Sequence, residues 1–209
     1  MHLIKTILLL LLFVMNTSNS ETINTYNGNV NFYYISKLSD QSIINLPYRL
    51  VNLNIDHQNG DLMIRSTVAL EHKLREDTYF LSNNSPTDFE LDMRELYLQL
   101  FTSWGEFRIG KIIHTLGNAD ENSPVDIASP FDYYYTFDSG INKKLGIFSS
   151  AIDIYTDDIK LGFIFSPLHN THRTPQDDDA FPIKLPVTPS ENQIMEIDEI
   201  PFEIGAYIN

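Results

Sequence analysis

The segment spanning residues 91–112 constrains the fold more than any other, because its apolar and polar residues alternate. Side chains that alternate with a period of two point to opposite sides of an extended strand. The first run therefore has an apolar and a polar side, formed by Leu96, Leu98 and Leu100 against Glu95, Tyr97 and Gln99. A second alternating run follows the short turn at residues 102–105, so the segment is predicted to be a β-hairpin.

The same period recurs along the chain, and no comparable stretch has a helical period. Counting both halves of the hairpin, the alternating segments number about eight. They cover residues 30–34, 51–56, 62–71, 95–100, 107–110, 148–154, 159–165 and 200–208. The sequence therefore predicts an all-β fold.

The connections between these segments alternate between long and short. The long ones occupy residues 37–46, 73–90, 114–144 and 166–198, and the short ones residues 57–60, 102–105 and 156–158. An antiparallel up-and-down transmembrane β-barrel has this arrangement, with short turns at one rim and long loops at the other. A soluble periplasmic β-sandwich is the competing fold, although its Greek-key crossings give no reason for all the long loops to share one end.

The first twenty residues have the pattern of a secretory signal peptide. Lys5 supplies the positive charge, residues 7–14 are apolar, and Ser18 and Ser20 are small residues suited to cleavage before Glu21. An uncleaved anchor is the alternative, but the apolar stretch is short for a membrane-spanning helix. We therefore predict a signal peptide at residues 1–20 and one β-domain at residues 21–209.

Composition removes several classes of protein. The chain of 209 residues has no Cys, which excludes a disulfide-stapled secreted module. Its 14 basic and 28 acidic residues give a net charge of -14, and nucleic acid is a poor partner for such a surface. The mature region has no run of eighteen apolar residues. A membrane protein without such runs has to be a closed barrel, because an open sheet edge in lipid leaves backbone groups unpaired.

The region around the hairpin resembles a group of porin-like outer-membrane β-barrel proteins of Gram-negative bacteria. The matching residues are Arg94, Glu95, Tyr97, Leu100, Phe107, Arg108, Ile109, Gly110, Lys111, Gly117, Ala119, Asp120, Pro124 and Asp126. The chain departs from the pattern at Leu116, where the group has Trp, and at Ser123, where it has Asn. The resemblance implies an outer-membrane location and passive passage of small hydrophilic solutes. It also implies contact with outer-membrane lipid, lipopolysaccharide and the barrel-assembly machinery.

In such a barrel the two sides of each strand have different roles. Lipid is expected to contact Leu62, Ile64, Leu96, Leu98, Leu100, Phe107, Ile109, Leu161 and Phe163. The pore is expected to be lined by Arg65, Glu71, Glu95, Gln99, Arg108, Asp153, Lys160 and Glu203. The loop at residues 114–132 is expected to fold inward as a constriction and to favour cations through Asp120, Glu121, Asp126 and Asp132.

Catalytic and metal signals are weak, and we predict neither an enzyme nor a bound cofactor. The sequence has no Gly-x-Ser-x-Gly elbow and no phosphate-binding glycine loop. His114, Ser123 and Asp126 are the only candidates for a hydrolytic triad, and a polar residue at the pore mouth is the simpler interpretation of His114. The pair His169 and His172 and the run Asp177, Asp178 and Asp179 lack the spacing of metal sites and are interpreted as solvated loops.

The last residues, Ala206-Tyr207-Ile208-Asn209, do not include the terminal aromatic residue with which barrels of the resembled group finish. Porins of that group also need about twice as many strands to open a channel. We therefore expect the N-terminal part of a longer barrel, or otherwise a complete eight-stranded barrel with a filled lumen. The predicted function is a porin-like channel. The alternative is a non-conducting outer-membrane or secreted β-protein that binds a partner through its long acidic loops.

Overall fold

The computed structural model describes residues 21–34, 36–42, 46–73, 85–116, 128–136, 138–168, 171–174 and 202–208. Several features predicted from the sequence lie outside these residues. They are the signal peptide at 1–20 and the residues Asp120, Glu121, Ser123, Asp126, His169, Asp177, Asp178 and Asp179.

Eight strands form one sheet in chain order, and each strand runs antiparallel to the next. They are β1 (Thr22–Val30), β2 (Pro47–Asn59), β3 (Leu62–Lys73), β4 (Phe89–Thr102), β5 (Gly105–Ile112), β6 (Ile147–Tyr155), β7 (Lys160–Ser166) and β8 (Glu203–Ile208). The all-β prediction and the count of about eight strands are confirmed for an up-and-down sheet.

The first strand lies earlier in the chain than its apolar residues suggested. The alternation at residues 30–34 predicted a strand there, but β1 ends at Val30. The reason is its partner, because β2 extends through a polar half to Asn59, which pairs with Thr22. Backbone pairing with β2 holds the polar residues of β1 in the sheet, together with a side-chain hydrogen bond of 2.6 Å between Asn24 and His57. The prediction was wrong because it searched for apolar periodicity, which this strand lacks.

Connections of two kinds leave opposite ends of the sheet. Residues 60–61, 103–104 and 156–159 are tight connections at one end, which we call the turn end. Residues 31–46, 74–88, 113–146 and 167–202 connect strands at the other end, which we call the loop end. The alternation of short and long connections predicted from the sequence is therefore confirmed, because antiparallel strands return to the same end at every second connection.

The sheet is open among the described residues. Strands β1 and β8 form its two edges, and no backbone pairing between them is found in the described ranges. The described helices are short 3₁₀ turns at Pro86–Asp88, Tyr133–Tyr135 and Gly140–Lys143. None of these helices is long or apolar enough to cross a membrane.

The strand register assigns the side chains to two faces, since directly paired residues share a face. The apolar face carries all nine residues that the sequence placed against lipid: Leu62, Ile64, Leu96, Leu98, Leu100, Phe107, Ile109, Leu161 and Phe163. The opposite, polar face carries all eight residues that the sequence placed in the lumen: Arg65, Glu71, Glu95, Gln99, Arg108, Asp153, Lys160 and Glu203.

Exposure of the two faces is inverted with respect to a sheet in a water-soluble protein. On the apolar face Leu91 and Ile204 are each 72% exposed. On the polar face Glu71 is 2% exposed and Asp153 is 1% exposed. Charged side chains are almost never buried to this degree unless they are paired. The stability of the polar face therefore depends on internal pairing of its charges.

Candidate functional site

At the turn end, the polar face carries an ion-pair network between neighbouring strands. We call Glu106, Arg108, Asp153, Lys160 and Tyr207 the turn-end cluster. Arg108 donates a hydrogen bond of 2.7 Å to Asp153, and the ammonium of Lys160 lies 3.1 Å from the same carboxylate. The hydroxyl of Tyr207 also donates to Asp153. Each partner comes from β5, β6, β7 or β8, so the cluster joins four consecutive strands.

A glycine makes room for the tyrosine of this cluster. Gly162 on β7 is paired with Tyr207 on β8 and lies under its ring. A Cβ atom at position 162 would overlap the ring carbons of Tyr207. The absence of a side chain therefore allows the phenol to cross β7 and reach Asp153.

At the loop end, the polar face is covered by part of the connection between β5 and β6. We call residues 128–136 and 138–146 the covering segment. Arg49 donates to the carbonyl oxygen of Asn142 at 2.6 Å. Arg94 donates to the carbonyl oxygens of Ile141 at 2.7 Å and Lys144 at 3.0 Å. Arginines from β2 and β4 thus hold the covering segment through its backbone.

A β-bulge positions the second of these arginines. The register between β3 and β4 shifts after Thr67, which pairs with Glu95, so that Val68 pairs with Met93. Arg94 is the extra residue, and both Arg94 and Glu95 are buried. Glu95 accepts hydrogen bonds from Thr67 and from the backbone N–H of Ile113. The bulge therefore brings two consecutive charged residues into contact with the covered side of the sheet.

Charges from distant parts of the chain meet beneath the covering segment. We call Arg49, Glu71, Asp132 and Arg173 the loop-end cluster. One guanidinium nitrogen of Arg173 lies 3.0 Å from Glu71 and 3.2 Å from Asp132. Nitrogens of Arg49 lie 3.7 Å from Glu71 and 3.6 Å from Asp132. Each carboxylate therefore has two arginine neighbours.

Tyr135 completes this cluster from the covering segment. Its hydroxyl donates a hydrogen bond of 2.8 Å to Glu71. The guanidinium of Arg49 lies over its ring, 3.6 Å from the centroid, in a cation–π contact. The side chain of Asp132 caps the 3₁₀ turn Tyr133–Tyr135 by accepting from the N–H of Tyr134 at 3.2 Å. The cap orients Tyr135 towards the sheet.

Burial and charge act in opposite directions on the titration of this cluster. Burial raises the pKa of Asp132, and the attraction of Arg173 and Arg49 offsets only part of that effect. Burial and the neighbouring charge of Glu71 raise the pKa of Tyr135 well above its usual value. For Arg173 burial alone would lower the pKa, but Glu71 and Asp132 raise it overall. Tyr135 therefore remains a hydrogen-bond donor and Arg173 remains charged at neutral pH.

Of the four predicted constriction residues, Asp132 is the one within the described residues. It is 1% exposed and belongs to the loop-end cluster, where Arg49 and Arg173 compensate its charge. Sequence analysis missed these partners because Arg173 and Asp132 are 41 positions apart. No periodic signal connects residues at that separation.

A cavity of about 390 Å³ lies between the covering segment and the polar sides of β1, β2, β3 and β4. One wall contains four asparagines, Asn29, Asn31, Asn52 and Asn54. The covering segment supplies Tyr134, Tyr135, Asp138, Ile141 and Asn142, and Arg49 and Arg94 are at the base. The cavity is therefore lined mainly by uncharged polar groups and tyrosine rings, which suits a small hydrophilic molecule.

His114 is buried beside the covering segment. Its Nε2 atom is 2.7 Å from the hydroxyl of Ser149, and its backbone N–H donates to the hydroxyl of Ser129. Both His114 and Ser149 are at most 5% exposed, so a substrate could not reach this pair. Ser123 and Asp126, the predicted triad partners, lie outside the described residues.

No group of three His, Asp or Glu side chains suited to a metal ion occurs within the described ranges. His172 accepts a hydrogen bond from the backbone N–H of Phe131 and stacks on its ring, so it helps to join residues 171–174 to the covering segment. No protein-family model, curated protein or solved structure matches the chain.

Proposed function

We propose that this chain is a porin-like outer-membrane β-barrel protein that lets small hydrophilic solutes pass. In this proposal the apolar face contacts lipid and the polar face contacts the solute pathway. An open edge in lipid would leave backbone groups without hydrogen bonds, so the proposal requires that the edges at β1 and β8 are paired in the membrane. The proposed surroundings are outer-membrane lipid and lipopolysaccharide.

The inverted exposure of the two faces is the observation that carries the proposal. A large contiguous apolar surface marks contact with a protein or a membrane. Here it extends over neighbouring strands, from Leu53 on β2 through Leu96 on β4 and Phe148 on β6 to Ile204 on β8, all more than two-fifths exposed. A continuous apolar band on the outer side of the sheet is typical of transmembrane barrels, in which lipid covers it.

Aromatic residues at the loop end support the same orientation. The rings of Tyr33, Tyr48, His72 and Phe89 are in consecutive contact, with centroids 4.8 to 5.6 Å apart. They lie near the ends of β2, β3 and β4. Tyr48 and His72 are buried and Tyr33 lines the cavity, so in the proposal Phe89 is the ring of this group that contacts headgroups. Amphipathic aromatic residues at strand ends are typical of the girdle that lies at lipid headgroups.

The charged residues on the polar face fit the wall of an aqueous passage. In the proposal, this wall is formed by Arg65, Glu71, Glu95, Gln99, Arg108, Asp153, Lys160 and Glu203, and the connection between β5 and β6 narrows it. Glu71, Glu95, Gln99 and Asp153 are buried, so they stabilise the wall through their partners and do not face the solute. Asp120, Glu121 and Asp126 give the narrow part a negative charge, since Asp132 is already compensated by two arginines. The channel is then expected to prefer cations.

The position of the covering segment favours a second candidate function. Because the covering segment occupies the loop end of the polar face, a barrel of small diameter would be filled there. The protein would then be a non-conducting outer-membrane or secreted β-protein whose long acidic connections bind a partner.

Swelling of liposomes in solutions of small sugars and amino acids tests the leading proposal. Vesicles that contain the full chain should swell faster than empty vesicles, and Asp120→Asn with Asp126→Asn should weaken cation preference in planar-bilayer recordings. Membrane insertion without any permeability would favour the non-conducting alternative. Recovery of the protein in the aqueous periplasmic fraction without detergent would exclude every membrane form of the proposal.

A further inference from the structure

We infer that the cavity beneath the covering segment binds a neutral, polyhydroxylated solute of the size of a mono- or disaccharide. The inference names the class of solute for the proposed channel, so the role of the cavity in solute passage rests on the proposed function. It is argued from the charges, the amide groups, the aromatic walls and the volume of the cavity.

Most charges around the cavity are already paired with a charge of opposite sign. Three guanidinium groups, those of Arg49, Arg94 and Arg173, lie among three carboxylates, those of Glu71, Glu95 and Asp132. One terminal nitrogen of Arg94 donates hydrogen bonds to two carbonyl oxygens of the covering segment. One terminal nitrogen of Arg49 donates to a third carbonyl oxygen there. An anionic ligand would compete with these contacts. A cationic ligand would meet the guanidinium groups of Arg49 and Arg94 in the lining, so the cavity favours a ligand without net charge.

Two kinds of group remain available to a ligand. Nε and one terminal nitrogen of Arg49 have no hydrogen-bond partner among the described residues, so they can donate to hydroxyl groups. The others are amides. Asn29 on β1 is paired directly with Asn52 on β2, and Asn54 lies two residues further along the same face. None of these three side chains has a hydrogen-bond partner among the residues that the structure describes. An amide offers both a carbonyl acceptor and an N–H donor. A hydroxyl group also donates and accepts, so adjacent hydroxyls can form paired hydrogen bonds with such amides.

The spacing of the amides suits a molecule with several hydroxyls. Directly opposed residues on neighbouring strands have Cβ atoms about 5 Å apart, and residues two positions apart on one strand are about 7 Å apart. These distances correspond to groups across one sugar ring and to groups on adjacent rings. Asp138 adds one carboxylate on the opposite side of the cavity, where it can accept from a hydroxyl.

Aromatic rings provide the other type of contact that a sugar needs. Tyr33, three residues after the end of β1, lines one side of the cavity. Tyr134 lines it from the covering segment. A sugar ring presents C–H groups on its faces, which pack on aromatic rings while its hydroxyls point to the sides. The volume of about 390 Å³ lies at the small end of the range for ligand pockets, which suits one or two sugar rings.

Calorimetric titration of the full chain in detergent tests the inference with three probes that share one ring: glucose, glucuronate and glucosamine. Neutral glucose should bind at least tenfold more tightly than either charged analogue, and maltose should bind at least as tightly as glucose. Tighter binding of glucuronate or glucosamine, or no saturable binding of glucose and maltose, would overturn the inference.

Two asparagines on β1 provide a matched pair of variants. Asn29 and Asn27 lie on the same face of one strand, but only Asn29 lines the cavity. Asn29→Leu should weaken glucose binding roughly fivefold to tenfold, the loss expected for one hydrogen-bonding group, whereas Asn27→Leu should change it less than twofold. Equal effects of the two substitutions would contradict the assignment.

A variant with a new ligand preference distinguishes loss of a binding group from misfolding, because a misfolded protein would bind neither ligand. Asn52→Asp adds a second carboxylate to a wall that already carries Asp138 and should reverse the preference, so that glucosamine binds more tightly than glucose. An unchanged preference in a folded Asn52→Asp protein would contradict the inference. Sugar binding without permeability would instead refute the channel and leave the site intact, while permeability without sugar binding would refute the site alone.

Discussion

The two faces of the same eight strands are stabilised in opposite ways. On the polar face, buried charges are balanced by partners that are far away in sequence, such as Arg173 for Glu71. On the apolar face, Leu98 and its cross-strand neighbours Ile64 and Ile109 contact each other within the sheet and present their outer sides to the surroundings. The polar face therefore depends on the rest of the chain, and the apolar face depends on what surrounds the protein.

The largest effect is expected for a charge of the loop-end cluster. Glu71→Gln should destabilise the protein by about 3–5 kcal/mol, because removal of one partner from a buried ion pair leaves a cation without full compensation. Asp56→Asn is the matched control, since Asp56 pairs with Arg65 in a half-exposed position. That substitution should cost less than about 1 kcal/mol. Urea titration in lipid bilayers measures both, and equal costs would mean that the covering segment does not shield the cluster.

On the apolar face, a charge should be costly only in lipid. Leu98→Arg should destabilise the protein by roughly 2–4 kcal/mol in bilayers, the cost of an arginine near the middle of the membrane. Asn27→Arg on the polar face of β1 should change stability by less than about 0.5 kcal/mol, as exposed substitutions usually do. If the two variants unfold at the same urea concentration in bilayers, the apolar face does not contact lipid.

A smaller effect is expected where the covering segment contacts the sheet. Tyr135→Phe removes the hydrogen bond to Glu71 and keeps the ring under Arg49, so it should cost about 1.5–2 kcal/mol. Tyr133→Phe in the same 3₁₀ turn is the control, because Tyr133 is exposed on the outer side of the turn. Hydrogen exchange at residues 128–136 should accelerate in the first variant only, and acceleration in both would indicate a general loosening of the turn.

Much of the sheet could be predicted from the sequence, because alternation is a local property. It gave the two faces of β2 to β7, and it placed the eight candidate pore residues together on one face. The position of strand β1 was not predicted, because the strand is stabilised by pairing with β2 and lacks apolar periodicity. The loop-end cluster and the cavity were not predicted either, because they are formed by parts of the chain that are far apart in sequence: β2, β3, the covering segment and Arg173. Contacts of this kind depend on how the connection between β5 and β6 folds back, which no periodic pattern encodes.

The bulge at Arg94 shows the same limit on a smaller scale. Strict alternation would place Arg94 on the face opposite to Glu95, among the apolar residues. In the structure the register shift buries both side chains and brings Arg94 to the covering segment. Arg94 and Arg49 are thus the residues that sequence analysis most clearly undervalued.

Fluorescence quenching by bromine-labelled lipids tests most directly whether the apolar face lies in a membrane. Trp104 is the single tryptophan, so Trp104→Phe provides a background in which one new tryptophan can report its surroundings. Ile109→Trp on the apolar face should be strongly quenched in vesicles of these lipids, whereas Asn27→Trp on the polar face should not. Equal quenching at the two positions, or none at position 109, would contradict the account that lipid covers the apolar face.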